Sequence, residues 1–174
     1  MSDFITAYNF MMDNEDMGRK YALVPDAPPG AHAISGINSA AYPQQFAAIA
    51  AMVQEERGPT VQQFYETHFW NQWMEHLNSN NLAMRVFDSA VNMGPGTAVK
   101  LLQVSVNSLQ NNSLIVDGGW GPNTVKQANQ VSAPSDTNIV MAFKHARSEH
   151  YQHIVANNPS NGKYLAAWLA RANK

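Results

Sequence analysis

The sequence predicts a mainly α-helical fold with one irregular loop or short hairpin near the N-terminus. Apolar residues recur at helical spacing through almost every segment. A single stretch, residues 15–41, loses that period and is punctuated by Gly18, Pro25, Pro28, Pro29, Gly30 and Gly36. Size sets the third constraint: 174 residues, 45% of them hydrophobic, supply one full core and are short for two independent ones.

The elements follow in order. Phe4, Tyr8 and Met11 after Ser2 and Asp3 predict a first helix over residues 3–14, with either polar residue able to cap it. The punctuated segment comes next, and a loop that long in a compact chain is usually functional. Pro43 to Arg57 reads as a second helix, with Phe46, Ile49, Ala50 and Val53 on one face and Gly58-Pro59 as its stop. Thr60 then caps an aromatic third helix, Val61 to Leu77. Leu82, Val86, Phe87, Ala90 and Val91 form the next series, which ends at Asn92-Met93-Gly94-Pro95-Gly96. Another helix carries Ala98, Leu101, Leu102, Val104 and Val106. Asn111-Asn112-Ser113 and Asp117 to Pro122 form a polar, glycine-rich turn before a short helix over about 123–130. Ser135 or Asp136 caps a long helix to about Asn157, and Lys163 to Ala172 form the last one, with Tyr164, Leu165, Trp168 and Leu169 inward.

Composition excludes several classes of function. There is no cysteine, hence no disulfide, thiolate nucleophile or cysteine-held metal. No apolar run reaches the roughly 18 residues of a membrane span, and Met1 to Asn9 lacks the basic and apolar regions of a secretory leader. Net charge is −2, which argues against nucleic acid as a partner. The average hides an asymmetry: residues 1–90 carry ten acids and four bases, residues 91–174 three acids and seven bases. An acidic front half suits a carboxylate site and a basic back half suits an anionic polymer, while two differently solvated faces would give the same count.

Among candidate reactive groups, Glu15 stands where the first helix enters the loop, within Asp13-Asn14-Glu15-Asp16. Crowded carboxylates repel one another, which favours a proton on one of them, as a general acid needs. A solvated acidic helix end has the same sequence, and the residues alone leave both readings open. Asp26 is the next carboxylate and can face Glu15 across the loop. His145, Glu149 and His153 share one helix face, but a straight helix cannot close around a metal with ligands two turns apart, so no metal is expected. His68 and His76 read as packing or surface residues, whereas His32 lies in the loop. No phosphate loop, nucleophile elbow or dinucleotide fingerprint is present, and no cofactor is called for. Phe64, Phe69, Trp70 and Trp73 form a stripe that serves as core or as a platform for sugar rings. Carboxylate chemistry without metal or thiol points to glycoside cleavage.

Several segments together resemble the N-acetylmuramidases of glycoside hydrolase family 108 with their C-terminal predicted peptidoglycan-binding domain. Tyr65-x-x-x-Phe69-Trp70 resembles the family's Tyr-x-x-x-(Tyr or Phe)-Trp, and Phe87-Asp88-Ser89-Ala90-Val91-Asn92-Met93-Gly94 its Phe-Asp-x-x-Val-Asn-x-Gly. Ala98 to Gln103 and Asp117-Gly118-Gly119-Trp120-Gly121-Pro122-Asn123-Thr124 resemble its Leu-Gln helix and Asp-Gly-x-x-Gly-Pro-x-Thr turn. Ala146-Arg147, Tyr151, Gly162, Trp168 and Arg171 match its closing helices. The family's catalytic acid is the Glu of Glu-Gly-Gly-Tyr, a position Glu15 occupies, with Asp16 and Met17 in place of the two glycines. Its Asp-Pro-Gly-Gly-x-Thr-x-x-Gly-Ile corresponds to Asp26 through Ile37, with Asp26 two residues out of register and Ala33 in place of the Thr.

The resemblance implies a lysozyme-like helical fold, a hydrolase lobe over residues 1–93 and a peptidoglycan-binding-like lobe over residues 94–174, packed as one compact unit. It implies cleavage of the β-1,4 bond between N-acetylmuramic acid and N-acetylglucosamine. Glu15 is then the general acid and Asp26 the water-activating base, with His32, Ser35, Trp70 and Trp73 as substrate contacts. The loop's departures from the motif motivate an alternative, a non-catalytic wall-binding or structural protein. As a hydrolase the chain is expected to be a monomeric phage endolysin or related enzyme, made in the cytoplasm and reaching the wall by holin, injection or lysis. Its partner is the glycan strand, without stable membrane insertion but with outer-membrane contact by the basic C-terminal helices. Asp88, Asn92 and Asp117 read as scaffold.

Overall fold

The computed structural model describes residues 1–111 and 114–174; Asn112 and Ser113 of the expected polar turn lie outside the described residues. Helix α1 (Phe4–Glu15) leads into β1 (Leu23–Asp26), β2 (Ala31–Ile34) and β3 (Ile37–Asn38). The helices α2 (Pro43–Ala50), α3 (Arg57–Phe69), α4 (Gln72–Glu75) and α5 (Asn80–Met93) follow. Next come α6 (Pro95–Leu109), α7 (Pro122–Ser132), α8 (Thr137–Asn157) and α9 (Gly162–Ala172). The period-free stretch is thus an antiparallel hairpin widened by a third strand, in the order β1-β2-β3. The fold is mainly α, as the sequence predicts.

Asp3 caps α1, its carboxylate accepting from the Thr6 amide at 2.9 Å and hydroxyl at 2.7 Å. Helix α5 is the axis of the molecule. Its residues from Leu82 to Ala90 are buried on nearly every side, because α1, α3, α6 and α8 all pack on it. Gly94 ends it at φ +89, a conformation that suits glycine, and Pro95 opens α6 where a missing N–H costs nothing. The hydrophobic core is continuous from Phe4 and Met11 through Phe87 to Leu102, Phe143 and Ala146, so both halves of the chain share it.

Several boundaries differ from the periodic reading. Helix α2 stops at Ala50, and Gly58-Pro59 lie inside the first turn of α3 instead of ending its predecessor. Proline is tolerated there. The end of α2 is closed by Arg57, whose Nε donates to the Ile49 carbonyl at 3.1 Å and Nη2 to that of Ala50 at 3.3 Å. The aromatic helix breaks after Phe69, and Asn71 caps the short α4 by accepting from the amides of Trp73 and Met74. Asp136 stands at the head of α8, but its carboxylate accepts from Ser79 Oγ and Asn81 Nδ2 rather than capping. In α9 Tyr164 is exposed, Leu165, Trp168 and Leu169 are half-buried, and Ala172 alone is fully buried. Asp117 ties its turn to α6, accepting from the Gly119 amide and from Gln103 Nε2, both at 2.8 Å.

Phe87 meets Phe4 and Trp70 edge-on at ring separations of 5.8 and 5.6 Å. Phe87→Ala should cost about 3–5 kcal/mol, read as a lower urea midpoint with an unchanged m-value.

Candidate active site

Tyr8 and Met11 anchor the buried face of α1, and Glu15 lies four residues beyond Met11 on that same face. Helical periodicity therefore turns Glu15 inward at the end of the helix. A carboxylate there meets the negative end of the helix dipole, and the compensating charge comes from far along the chain. Arg171 Nη2, on α9, donates to Glu15 Oε1 at 2.6 Å. The other oxygen, Oε2, lies against Gly36. A Cβ at Gly36 would stand 2.4 Å from Oε2 and 2.8 Å from the Tyr65 hydroxyl, and its φ is +81. Only glycine fits that approach. Tyr65 Oη donates to the Ser35 carbonyl at 2.6 Å. Burial, reinforced by the Glu15 charge, holds the phenol well above the usual tyrosine pKa, so it remains a donor.

Arg171 is itself held by Asp88, a fully buried residue of α5. Its Nη2 and Nε donate to Asp88 at 2.8 and 3.1 Å, Arg147 Nη2 of α8 donates at 2.8 Å, and Asn14 Nδ2 completes the shell at 3.0 Å. Burial alone would lower the Arg171 pKa, but the hydrogen bonds and charges of Asp88 and Glu15 outweigh it and raise the value above that of an ordinary arginine. Glu15, Arg171, Asp88 and Arg147 form one chain of alternating charge.

After Glu15 the backbone turns through Met17, Gly18, Lys20 and Tyr21, all at positive φ. Met17, at φ +52, thus takes a conformation for which the motif's glycine is suited. Asp16 fixes this turn: its carboxylate accepts from the amides of Lys20 at 2.7 Å and Tyr21 at 2.9 Å, and from Ser35 Oγ at 2.6 Å.

Glu15 and Asp26 face one cleft of about 200 Å³, walled by Val24, Ala33, Gly36 and Arg19. Asp26 pairs with Ala31 and Val24 with Ala33, so Asp26, Val24 and Ala33 share a sheet face. The loop between the paired residues is Ala27 to Gly30, four residues long, and Asp26 stands at the strand end, diagonal to Ala33. Asp26 Oδ2 accepts from Asn38 Nδ2 and Oδ1 from the Ala27 amide, both at 2.8 Å.

The other expected substrate contacts stand elsewhere. His32 pairs with Pro25 on the opposite sheet face. Ser35 is buried and spends its hydroxyl on Asp16. Trp70 is a core residue between Phe4 and Phe87, and Trp73 lies half-buried on α4 beside His76. Of the aromatic stripe, Phe64 and Trp70 have gone to the core. His145 and Glu149 pair at 3.3 Å on an exposed face of α8. Arg171 stands in the sequence as a match to the family's closing helices, but spacing does not reveal its place beside Glu15, since the two lie 156 positions apart.

Two substitutions test this arrangement. Asp88→Asn leaves buried guanidinium groups short of their counter-charge and should cost about 3–5 kcal/mol, measured by chemical denaturation. Gly36→Ala should preserve the helical circular dichroism spectrum while displacing Glu15, read as loss of wall lysis.

Residues 13–94 match the family model for Glycosyl hydrolase 108, and residues 97–173 match that for the Predicted Peptidoglycan domain. No curated protein matches. Among solved structures, that of Brucella abortus SagA superimposes with a TM-score of 0.65 at 20% identity, over 97% of this chain and 92% of that one, which shows a shared fold. With a Glycosyl hydrolase 108 unit over residues 13–94 and a predicted peptidoglycan domain over residues 97–173, the chain is a lysozyme-type peptidoglycan hydrolase.

Proposed function

We propose that the chain cleaves the β-1,4 bond between N-acetylmuramic acid and N-acetylglucosamine, with Glu15 as proton donor and Asp26 as the group that activates water. The observation that carries this reading is the pair of carboxylates facing one cleft from different elements. Glycoside hydrolysis needs one carboxyl to protonate the leaving oxygen and one carboxylate on the other side of the anomeric carbon. Glu15 takes up a proton from solvent before it acts and carries it on Oε2, because Oε1 is taken by Arg171. As the bond breaks, the same guanidinium stabilises the carboxylate left behind. Asp26, oriented by Asn38 and the Ala27 amide, accepts the proton of the attacking water. Ala33 offers no hydroxyl to hold that water, so Asp26 does this work without the threonine of the family motif.

The reading extends to a phage endolysin or a similarly delivered enzyme, acting on the wall as a monomer. Among the described residues no helix is long and apolar enough to cross a membrane.

Turbidity loss of outer-membrane-permeabilised Gram-negative cells is the test. Glu15→Gln should lower lysis about 10²- to 10⁴-fold, the range of a positioned acid, with an unchanged circular dichroism spectrum. Asp26→Asn should lower kcat with little effect on KM. Undiminished lysis by folded Glu15→Gln would overturn the assignment, and wall binding by wild type without release of reducing ends would make the chain a binding protein.

A further inference from the structure

A second and larger cavity, of about 360 Å³, lies between the end of α1 and α9. Asn14 lines both it and the Glu15 cleft, and Arg171, which lines the second cavity, is the residue bonded to Glu15. The two spaces therefore adjoin the same ion pair. Small-molecule sites run from about 300 to 1,000 Å³; the cleft alone falls below that range and the second cavity falls within it.

Its lining is rich in unused donors. Arg171 commits Nε and Nη2 to Asp88 and Glu15, and among the described residues Nη1 has no hydrogen-bond partner. Lys174 Nζ holds Asn14 Oδ1, which leaves two of its three protons. Asn92 accepts from the Tyr151 hydroxyl through Oδ1 at 2.6 Å, and its Nδ2 is likewise unengaged among the described residues. Asp13 adds one acceptor at the rim. Beside these groups stands Trp168, held by stacking against Tyr151 at 5.2 Å and Tyr164 at 5.5 Å, so the indole is fixed in place before any ligand arrives. Two cations, an amide N–H₂ and a rigid aromatic match a glycan residue that carries an acetamido carbonyl on its ring and a carboxylate on its substituent.

Resting on the hydrolase reading above, we propose that this cavity is a glycan subsite for a muramoyl residue with its stem peptide, one that takes the strand beyond Glu15. The stem peptide's carboxylate is met by Arg171 and Lys174, the acetamido group by Asn92, and an apolar ring face by Trp168.

The test uses Glu15→Gln protein of full length and the disaccharide N-acetylglucosaminyl-N-acetylmuramoyl dipeptide, with di-N-acetylchitobiose as the carboxylate-free comparison. The chain has four tryptophans, so the Trp168 indole N–H is followed by heteronuclear magnetic resonance after assignment with Trp168→Phe. The expected result is a saturable Trp168 shift with the muramoyl ligand and affinity for chitobiose weaker by about tenfold or more, the worth of one charge-assisted contact. Ala170→Trp, an exposed α9 position that fills the cavity, should abolish the shift while circular dichroism is unchanged. Lys174→Gln should narrow the gap between the two ligands. A muramoyl ligand that saturates the protein without moving Trp168, equal affinity for both ligands, or a shift that survives in Ala170→Trp would each overturn the subsite. The two readings fail separately: a Trp168 shift with no lysis by wild type removes the hydrolase and keeps the subsite, while lysis with no shift does the reverse.

Discussion

A carboxylate buried without any exposed surface in the central helix is the constraint from which the rest of the site follows. Taking a charge out of water costs several kcal/mol after relaxation, and Asp88 recovers that only because Arg147, Arg171 and Asn14 converge on it. None of these partners is local. Arg147 comes from α8, Arg171 from α9 and Asn14 from the end of α1, so satisfying one side chain fixes three elements against α5. Arg147 leaves Nε and Nη1 buried without a partner among the described residues, which makes its bond to Asp88 the more consequential. Glu15 is placed at the end of this chain, held by a guanidinium that Asp88 has already oriented.

The two family units are therefore not a catalytic part and a separable anchor. The ion-pair partner of Glu15 belongs to the unit described as a peptidoglycan domain, and the counter-charge of its two arginines belongs to the hydrolase unit. The opposite charges of the two halves acquire a physical meaning here. Two of the seven bases in the back half neutralise acids of the front half inside the protein, so that part of the asymmetry serves an internal interface. The carboxylate and the arginine must be ordered together, so both units must be folded for Glu15 to be held in place.

Legibility in the sequence followed the range of the interactions involved. Helical spacing showed α1, α5, α6 and α8 because their periods are local, and Glu15 was legible because it directly follows the first helix in an acidic cluster, at the Glu position of the motif. The Gly58-Pro59 stop failed because proline is as acceptable in a first turn as it is after a last one, and nothing in the local pattern distinguishes the two. Trp70 and Trp73 were ambiguous for a related reason: a ring at helical spacing has the same pattern whether the surface it meets is protein or sugar. Asp26 was harder still, since strand pairing sets its position in space and a register counted along the chain does not show that pairing. Arg171 was invisible to any period, being a tertiary contact across most of the chain.

The turn after Glu15 shows how a motif can change its residues and keep its path. Glycine permits positive φ because it has no Cβ, and Met17 at that place carries a strain of roughly 1–3 kcal/mol, the order expected for a residue forced left-handed. Asp16 opposes that strain. A hydrogen bond to a charged group contributes about 1.5–3 kcal/mol, and its carboxylate receives three, from Lys20, Tyr21 and Ser35. The exchange is of backbone freedom for side-chain restraint: a glycine reaches the turn without strain, whereas Asp16 holds the turn against it and ties it to the segment that presents Gly36. Since Gly36 is what Glu15 Oε2 lies against, the same aspartate that replaces a glycine of the motif also fixes the wall on which that oxygen rests.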